Sequence, residues 1–238
     1  MKKRTKILLI GLIVLLFGLG VAVVGIRAKS YTPSATAMTL ARKATKTTAQ
    51  YTYFKGDSDK TTIVCYPGAL VAPASYSVWT TQLAQRGYSV YLMHFPLNLA
   101  VLAPNRASAV PKHARQNYVI GGHSLGGVMA SRYAARHRTA GLKGVFFLAS
   151  YPDEKGSLKT SQLPVLSVTA SRDGVLNWQH YRENRRYLPK QTDYLTIQGG
   201  NHAGFGSYGH QQGDHDATIS NANQQRQISA ALISWLQQ

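Results

Sequence analysis

A chain of 238 residues, 44% of them hydrophobic and 15% charged, is long enough for one substantial domain and too apolar to be a disordered one. Its 27 Lys and Arg against 9 Asp and Glu give a formal charge of +18, with eleven of the cations and two of the acids in residues 1–60. That excess attracts anionic surfaces, but no stretch interleaves aromatic with basic residues as a nucleic-acid module does. Nucleic acid is therefore set aside, and an anionic cell-surface polymer is kept as a possible partner.

The basic flank 1–6 (MKKRTK) leads into residues 7–26, ILLIGLIVLLFGLGVAVVGI, which carry no charge. At about 1.5 Å per residue this run is roughly 30 Å long, the thickness of a bilayer's hydrocarbon. A cleavable signal has an apolar region of about 7–15 residues and a small-residue cleavage site. Here Ile26, Arg27 and Lys29 stand where small residues are needed. The pattern thus favours an uncleaved transmembrane helix over a cleaved signal, giving a single-pass protein of the cell membrane with its domain outside. Cleavage would make it secreted. Residues 27–49, rich in Ala, Thr, Ser and Lys, read as a polar tether with a short helix near TAMTLARKA.

From residue 50 to 238 strand and helix patterns alternate. QYTYFK has the period of a half-buried strand, and TTIVCY is an apolar β-branched run closed by Pro67-Gly68. The one cysteine, Cys65, lies in that run as a buried small hydrophobe, so no internal disulfide can form. SYSVWTTQLAQR has helical spacing and stops at Gly87. YSVYLMHF, NYVIGG, GVFFLAS, LPVLSVTA and DYLTIQ read as further strands. LGGVMASRYAARH, NWQHYRENRRYL and ISNANQQRQISAALISWLQQ read as helices. About seven strands alternating with helices imply an α/β fold with a mostly parallel sheet covered on both faces. In such sheets ligands bind beyond the carboxyl ends of the strands.

Chemistry-bearing residues fall at those ends. Gly122-His123-Ser124-Leu125-Gly126 fits G-x-S-x-G between an apolar strand and a helix. There a serine sits on a strained turn, and side chains at Gly122 and Gly126 would clash with the neighbouring strand and helix. No G-K-[ST] ending supports a phosphate loop. A serine needs a base to take its proton. Of eight histidines, His202 follows the last strand in the glycine-dense GGNHAGFGSYG and is preferred over His94, with His123, His137 and His180 set aside. The base needs an orienting carboxylate. Asp173, in SVTASRDGV, follows a strand and precedes a helix, and the order Ser, Asp, His suits such a sheet; Asp153 is second choice. A tetrahedral intermediate needs two N–H donors. Leu125 supplies one, and the YPGALVAP loop supplies the other through Ala69 or, alternatively, Leu70. His210, Asp214, His215 and Asp216 share no recognised ligand spacing and read as a solvated loop in which Asp214 caps or ties the chain, so no metal and no cofactor is expected. Asp216, Thr218 and Ser220 are candidate caps for the last helix.

The YPG loop, GHSLGG elbow, SRDG turn and GGNHAGFGSYG loop together resemble the α/β-hydrolase superfamily, most of all its small bacterial, dienelactone-hydrolase-like members. The resemblance covers about residues 50–238. It implies Ser124 as nucleophile, Asp173 as acid and His202 as base, on an eight-stranded core trimmed at its N-terminal edge. Tyr66-Pro67 stands where many members carry His-Gly, and no insertion is long enough for a large lid. The expected function is a membrane-anchored serine hydrolase acting on a small acyl ester, with no obligatory protein partner. The alternative is a non-catalytic surface protein that binds anionic polymers or membranes through its basic surface.

Overall fold

The computed structural model describes residues 11–12, 17–18, 20–21, 23–57 and 59–238, in two compact units, Met1–Ser30 and Tyr31–Gln238. In the first unit the described residues from 11 to 28 are helical, with Leu12, Phe17, Val21 and Val24 exposed. No helix of the described residues is long and apolar enough to cross a membrane. Residues 7–10, 13–16, 19 and 22 of the expected anchor lie outside the described residues.

The second unit is an eight-stranded sheet in the order β1-β2-β4-β3-β5-β6-β7-β8. The strands are β1 (Lys46–Thr47), β2 (Tyr51–Phe54), β3 (Thr62–Tyr66), β4 (Val90–Met93), β5 (Tyr118–His123), β6 (Leu142–Leu148), β7 (Val165–Ala170) and β8 (Thr192–Ile197). The β1–β2 and β2–β4 pairs are antiparallel and every other pair is parallel. All seven strands read from the sequence are present. The eighth, β1, is two exposed residues and too short to carry a period.

The central strands β3, β5, β6 and β7 are buried along almost their whole length because both faces are covered. Along β3, Ile63 and Cys65 enter one core cluster, while Val64 and Tyr66 enter the other, as a period of two requires. β6 divides likewise, Phe146 and Leu148 against Val145 and Phe147. Helices α2 (Ser77–Gln85) and α5 (Asn221–Leu236) pack together over the first cluster through Trp79, Leu83, Ile228 and Leu232. Helix α3 (Leu125–Arg136) covers the second through Met129, Ala130 and Tyr133. The short α4 (Trp178–Glu183) lies between β7 and β8. Gly87, at φ 89°, ends α2 in the left-handed conformation expected of a stop residue. Of the three candidate caps for α5, Ser220 fills the role by accepting from the Asn223 amide.

The expected tether of residues 27–49 is corrected by the fold, because most of it belongs to the domain. Helix α1 (Ala35–Arg42) is capped by Ser34, whose hydroxyl also meets Ser207 Oγ at 2.8 Å and whose amide donates to the Ser207 carbonyl. Ala37 is fully buried, and α1 packs against α2. Tyr31 bridges to Val71, and β1 extends the sheet. Polar composition hid this docking, since small and polar residues with only Tyr31 among the larger apolar ones make the contact.

Segment 96–116 crosses the carboxyl end of the sheet as short 3-10 turns. It is fastened to β3 by Tyr66, whose hydroxyl donates to the Pro104 carbonyl and accepts from the Ala107 amide, both at 2.9 Å.

Candidate active site

Ser124 stands between β5 and α3 at φ 51°, ψ −126°. A non-glycine residue there stores roughly 1–3 kcal/mol of strain and persists only when its surroundings over-determine it. Its amide donates to Leu148 O on β6, and its carbonyl accepts from Ser150 Oγ at 2.6 Å and from the Gly127 amide at 3.0 Å. The two flanking glycines are fixed by the β3 loop. A Cβ added at Gly122 would lie 2.4 Å from the Tyr66 carbonyl oxygen, and one at Gly126 would lie 2.2 Å from the same atom. The elbow and the Tyr66-Pro67 turn thus touch backbone to backbone.

Beyond β7, Asp173 is 3% exposed. Its Oδ1 accepts from the Val175 and Leu176 amides at 2.9 and 2.7 Å. Its Oδ2 meets His202 Nδ1 at 2.8 Å. His202 follows β8 and is itself 1% exposed. A carboxylate only accepts, so Nδ1 carries the proton and Nε2 keeps its lone pair. Ser124 and His202 line one cavity of about 240 Å³, together with Leu125, Val128, Tyr151 and Leu176. Ser124, Asp173 and His202 come from three loops at the carboxyl ends of β5, β7 and β8, as the sheet rule predicts.

The amides of the β3 loop separate the two donor candidates. Pro67 has none, Gly68 donates to the Tyr76 hydroxyl at 2.9 Å, and Leu70 donates to the Asn98 carbonyl at 2.9 Å. Among the described residues Ala69 N–H has no protein acceptor, so Leu70 is excluded as the free donor. The Leu125 amide lies in the first turn of α3, where no intrahelical acceptor exists.

The remaining candidates are placed elsewhere. His94 Nε2 bonds Thr52 Oγ1 at 2.8 Å, and burial lowers its pKa. Asp153 pairs with Arg132 and caps the turn Glu154–Gly156. His123 faces the core. Its Nδ1 meets the Tyr76 hydroxyl at 2.8 Å, and its ring lies 4.5 Å from that of His202. Burial, with the neighbouring His202 adding to it, holds the His123 pKa well below the ordinary 6.5, so it is a neutral imidazole.

Three supporting side chains carry no recognisable sequence motif. They are Tyr76, whose hydroxyl joins Gly68 to His123; Ser150, which holds the elbow carbonyl; and Asp214. Asp214 is 8% exposed rather than solvated, a correction to the reading of that loop. Only the hint that Asp214 ties the chain down pointed this way.

Residues 62–226 match the model of the alpha/beta hydrolase family. The chain belongs to that family. Solved alpha/beta hydrolase structures share its fold. An enzyme from the sediment metagenome of the Mar Chica lagoon is 15% identical with a TM-score of 0.58, over 81% of this chain and 97% of that one. Dienelactone hydrolase from Anabaena variabilis is 13% identical with a TM-score of 0.56, over 77% and 90%. Est1E from Butyrivibrio proteoclasticus, bound to ferulic acid, is 10% identical with a TM-score of 0.58, over 79% and 97%. No curated protein matches the sequence.

Proposed function

We propose that this alpha/beta hydrolase is a serine esterase. One observation carries the reading: a buried Asp173–His202 pair leaves Nε2 available in the cavity that also contains Ser124 on its strained elbow. In the reaction Ser124 Oγ bonds to the ester carbonyl carbon while its proton passes to His202 Nε2. Asp173 holds the resulting imidazolium through Nδ1–H without taking that proton. The amides of Leu125 and Ala69 receive the carbonyl oxygen as it becomes an oxyanion; one such donor is worth roughly 2.7–4 kcal/mol of barrier. Collapse breaks the C–O bond to the alcohol, which leaves with the proton from Nε2. Water, deprotonated by the same nitrogen, then releases the acid and restores Ser124.

The cavity of about 240 Å³ lies below the roughly 300–1,000 Å³ that takes drug-sized ligands, and its lining holds no Asp, Glu, Lys or Arg. This favours a short, uncharged acyl group. Dienelactone hydrolase and the Thermogutta terrifontis esterase among structures with this fold favour ester over amide. Residues 7–26 are read as a membrane anchor that holds the domain outside the cell, on the strength of their uncharged length. A panel of p-nitrophenyl esters of rising chain length tests the function. Acetate and butyrate should be cleaved best, and Ser124→Ala should lose turnover together with fluorophosphonate labelling. Labelling that survives Ser124→Ala would sink the assignment.

A further inference from the structure

Asp214 has a buried carboxylate, a costly group unless its oxygens are hydrogen-bonded. Backbone amides supply those bonds. Its Oδ1 accepts from Gly174 at 3.0 Å, from His202 at 3.3 Å and from His215 at 3.0 Å, and its Oδ2 accepts from Ala203 at 2.8 Å. The His215 bond is local, but the others reach two distant loops. Gly174 directly follows Asp173, and the His202 amide belongs to the imidazole that Asp173 orients. The contact is tight at the acid turn as well: a Cβ added at Gly174 would lie 2.6 Å from the Gly213 carbonyl oxygen. The α5 side holds the 201–204 loop independently, through Gln224 Oε1 on the Asn201 amide and Gln225 Nε2 on the Gly204 carbonyl. Asp214 is the acceptor that the acid's turn and the base's loop share.

We propose that Asp214 is a positioning residue for catalysis, fixing Asp173 and His202 relative to each other so that the Oδ2–Nδ1 bond forms at 2.8 Å. The proposal rests on the serine-esterase reading and adds a second carboxylate that never touches substrate. Asp214→Asn keeps one oxygen, which can still accept from Gly174 and His202 as Oδ1 does, but puts an N–H₂ group in place of Oδ2, where it faces the Ala203 amide donor to donor. The backbone of one loop then withdraws, and the His202 Nδ1–H proton loses its steady partner.

The test uses the full chain with Asp214→Asn, Gly174→Ala and Asp216→Asn. Gly174→Ala strains the same junction without touching an ionisable group. Asp216→Asn removes an equal charge from an exposed position of the same loop. Three quantities are read: kcat and KM on p-nitrophenyl acetate, the low-field proton resonance of the His202 imidazole, and the near-ultraviolet circular dichroism. Asp214→Asn and Gly174→Ala should keep the folded spectrum, lower kcat on the order of 10- to 100-fold with KM within about twofold, and broaden or lose the imidazole resonance. Asp216→Asn should match the parent. A folded Asp214→Asn with parental kcat, or with reduced kcat and an unaltered imidazole resonance, overturns the proposal. Should Asp214→Asn fail to fold, Gly174→Ala decides on the same two readings. Turnover that survives Ser124→Ala would instead remove the esterase reading, while the imidazole resonance would still report whether Asp214 sets the pair.

Discussion

Tyr76 illustrates how a residue without chemistry of its own governs one that has it. Its hydroxyl accepts from the Gly68 amide and pairs with His123 Nδ1, so it holds both the loop that presents Ala69 and the residue before Ser124. Gly68 has no room to retreat, since a Cβ there would already lie 2.8 Å from His123 Nδ1. Tyr76→Phe leaves a buried amide without a partner, a cost of about 1–3 kcal/mol. The urea midpoint should fall accordingly. Turnover should fall too, by less than the roughly 10²–10³-fold expected for deleting an oxyanion donor outright. Equal stability of Tyr76→Phe and parent would show that water or another acceptor replaces the phenol. The legibility of the site follows the same lines. Ser124, Asp173 and His202 each sit in a local pattern of glycine, strand end and turn that a sequence displays. Tyr76, Ser150 and Asp214 act through partners 47, 26 and 40 positions away, and no local pattern records such a distance. The separation of Ala69 from Leu70 likewise needed Asn98, brought in by segment 96–116.

Elements buried on two faces were legible because an apolar run forces the assignment, as in β3, β5, β6 and β7. The N-terminal border was not. Residues 31–49 dock through the Ser34 cap, the buried Ala37 and isolated contacts of Tyr31 and Ala44 with the core, which are spaced too far apart to leave a hydrophobic period. Ser34 supplies the cap of α1 and, through the same hydroxyl, a contact with Ser207, itself 8% exposed. Substituting an N-cap serine by alanine costs about 0.5–2 kcal/mol. Ser34→Ala should therefore lower the thermal midpoint of the whole domain by a few degrees, roughly 2–4 °C per kcal/mol at this size. A tether outside the cooperative unit would leave the midpoint where it was, so calorimetry separates the two arrangements.

At the scale of the whole molecule, charge and burial meet in the response to acid. The formal charge of +18 counts every histidine as neutral, so acidification adds repulsion to a molecule already rich in cations. Within that general decline His123 makes a specific contribution. Its folded pKa lies well below 6.5, so the unfolded chain binds the proton first as the pH falls. Where the unfolded state holds more protons, stability rises with pH. The contribution of His123 is thus complete above pH 6.5 and is lost progressively below it, by at most about 1.4 kcal/mol per pH unit. The groups facing it are the His202 ring and backbone, the Tyr76 hydroxyl and the Phe205 ring; the bond to the His202 backbone favours the charged form, but burial and the His202 ring outweigh it. None of them is a carboxylate that could hold an imidazolium in place. Asp153 belongs to a lower window. Burial raises its pKa, but the Arg132 pair and the Gly156 amide outweigh that and bring it below 3.8, so its contribution fades only under strong acid. Urea unfolding at pH 7.5 and pH 5 therefore should show a loss of stability in the parent that is smaller in His123→Gln by up to about 2 kcal/mol, the integral of one proton over the interval from 6.5 to 5. Charge repulsion is nearly the same in both proteins and cancels in the difference. Parallel losses in parent and variant would show that the buried imidazole takes up its proton without unfolding the core around Ser124.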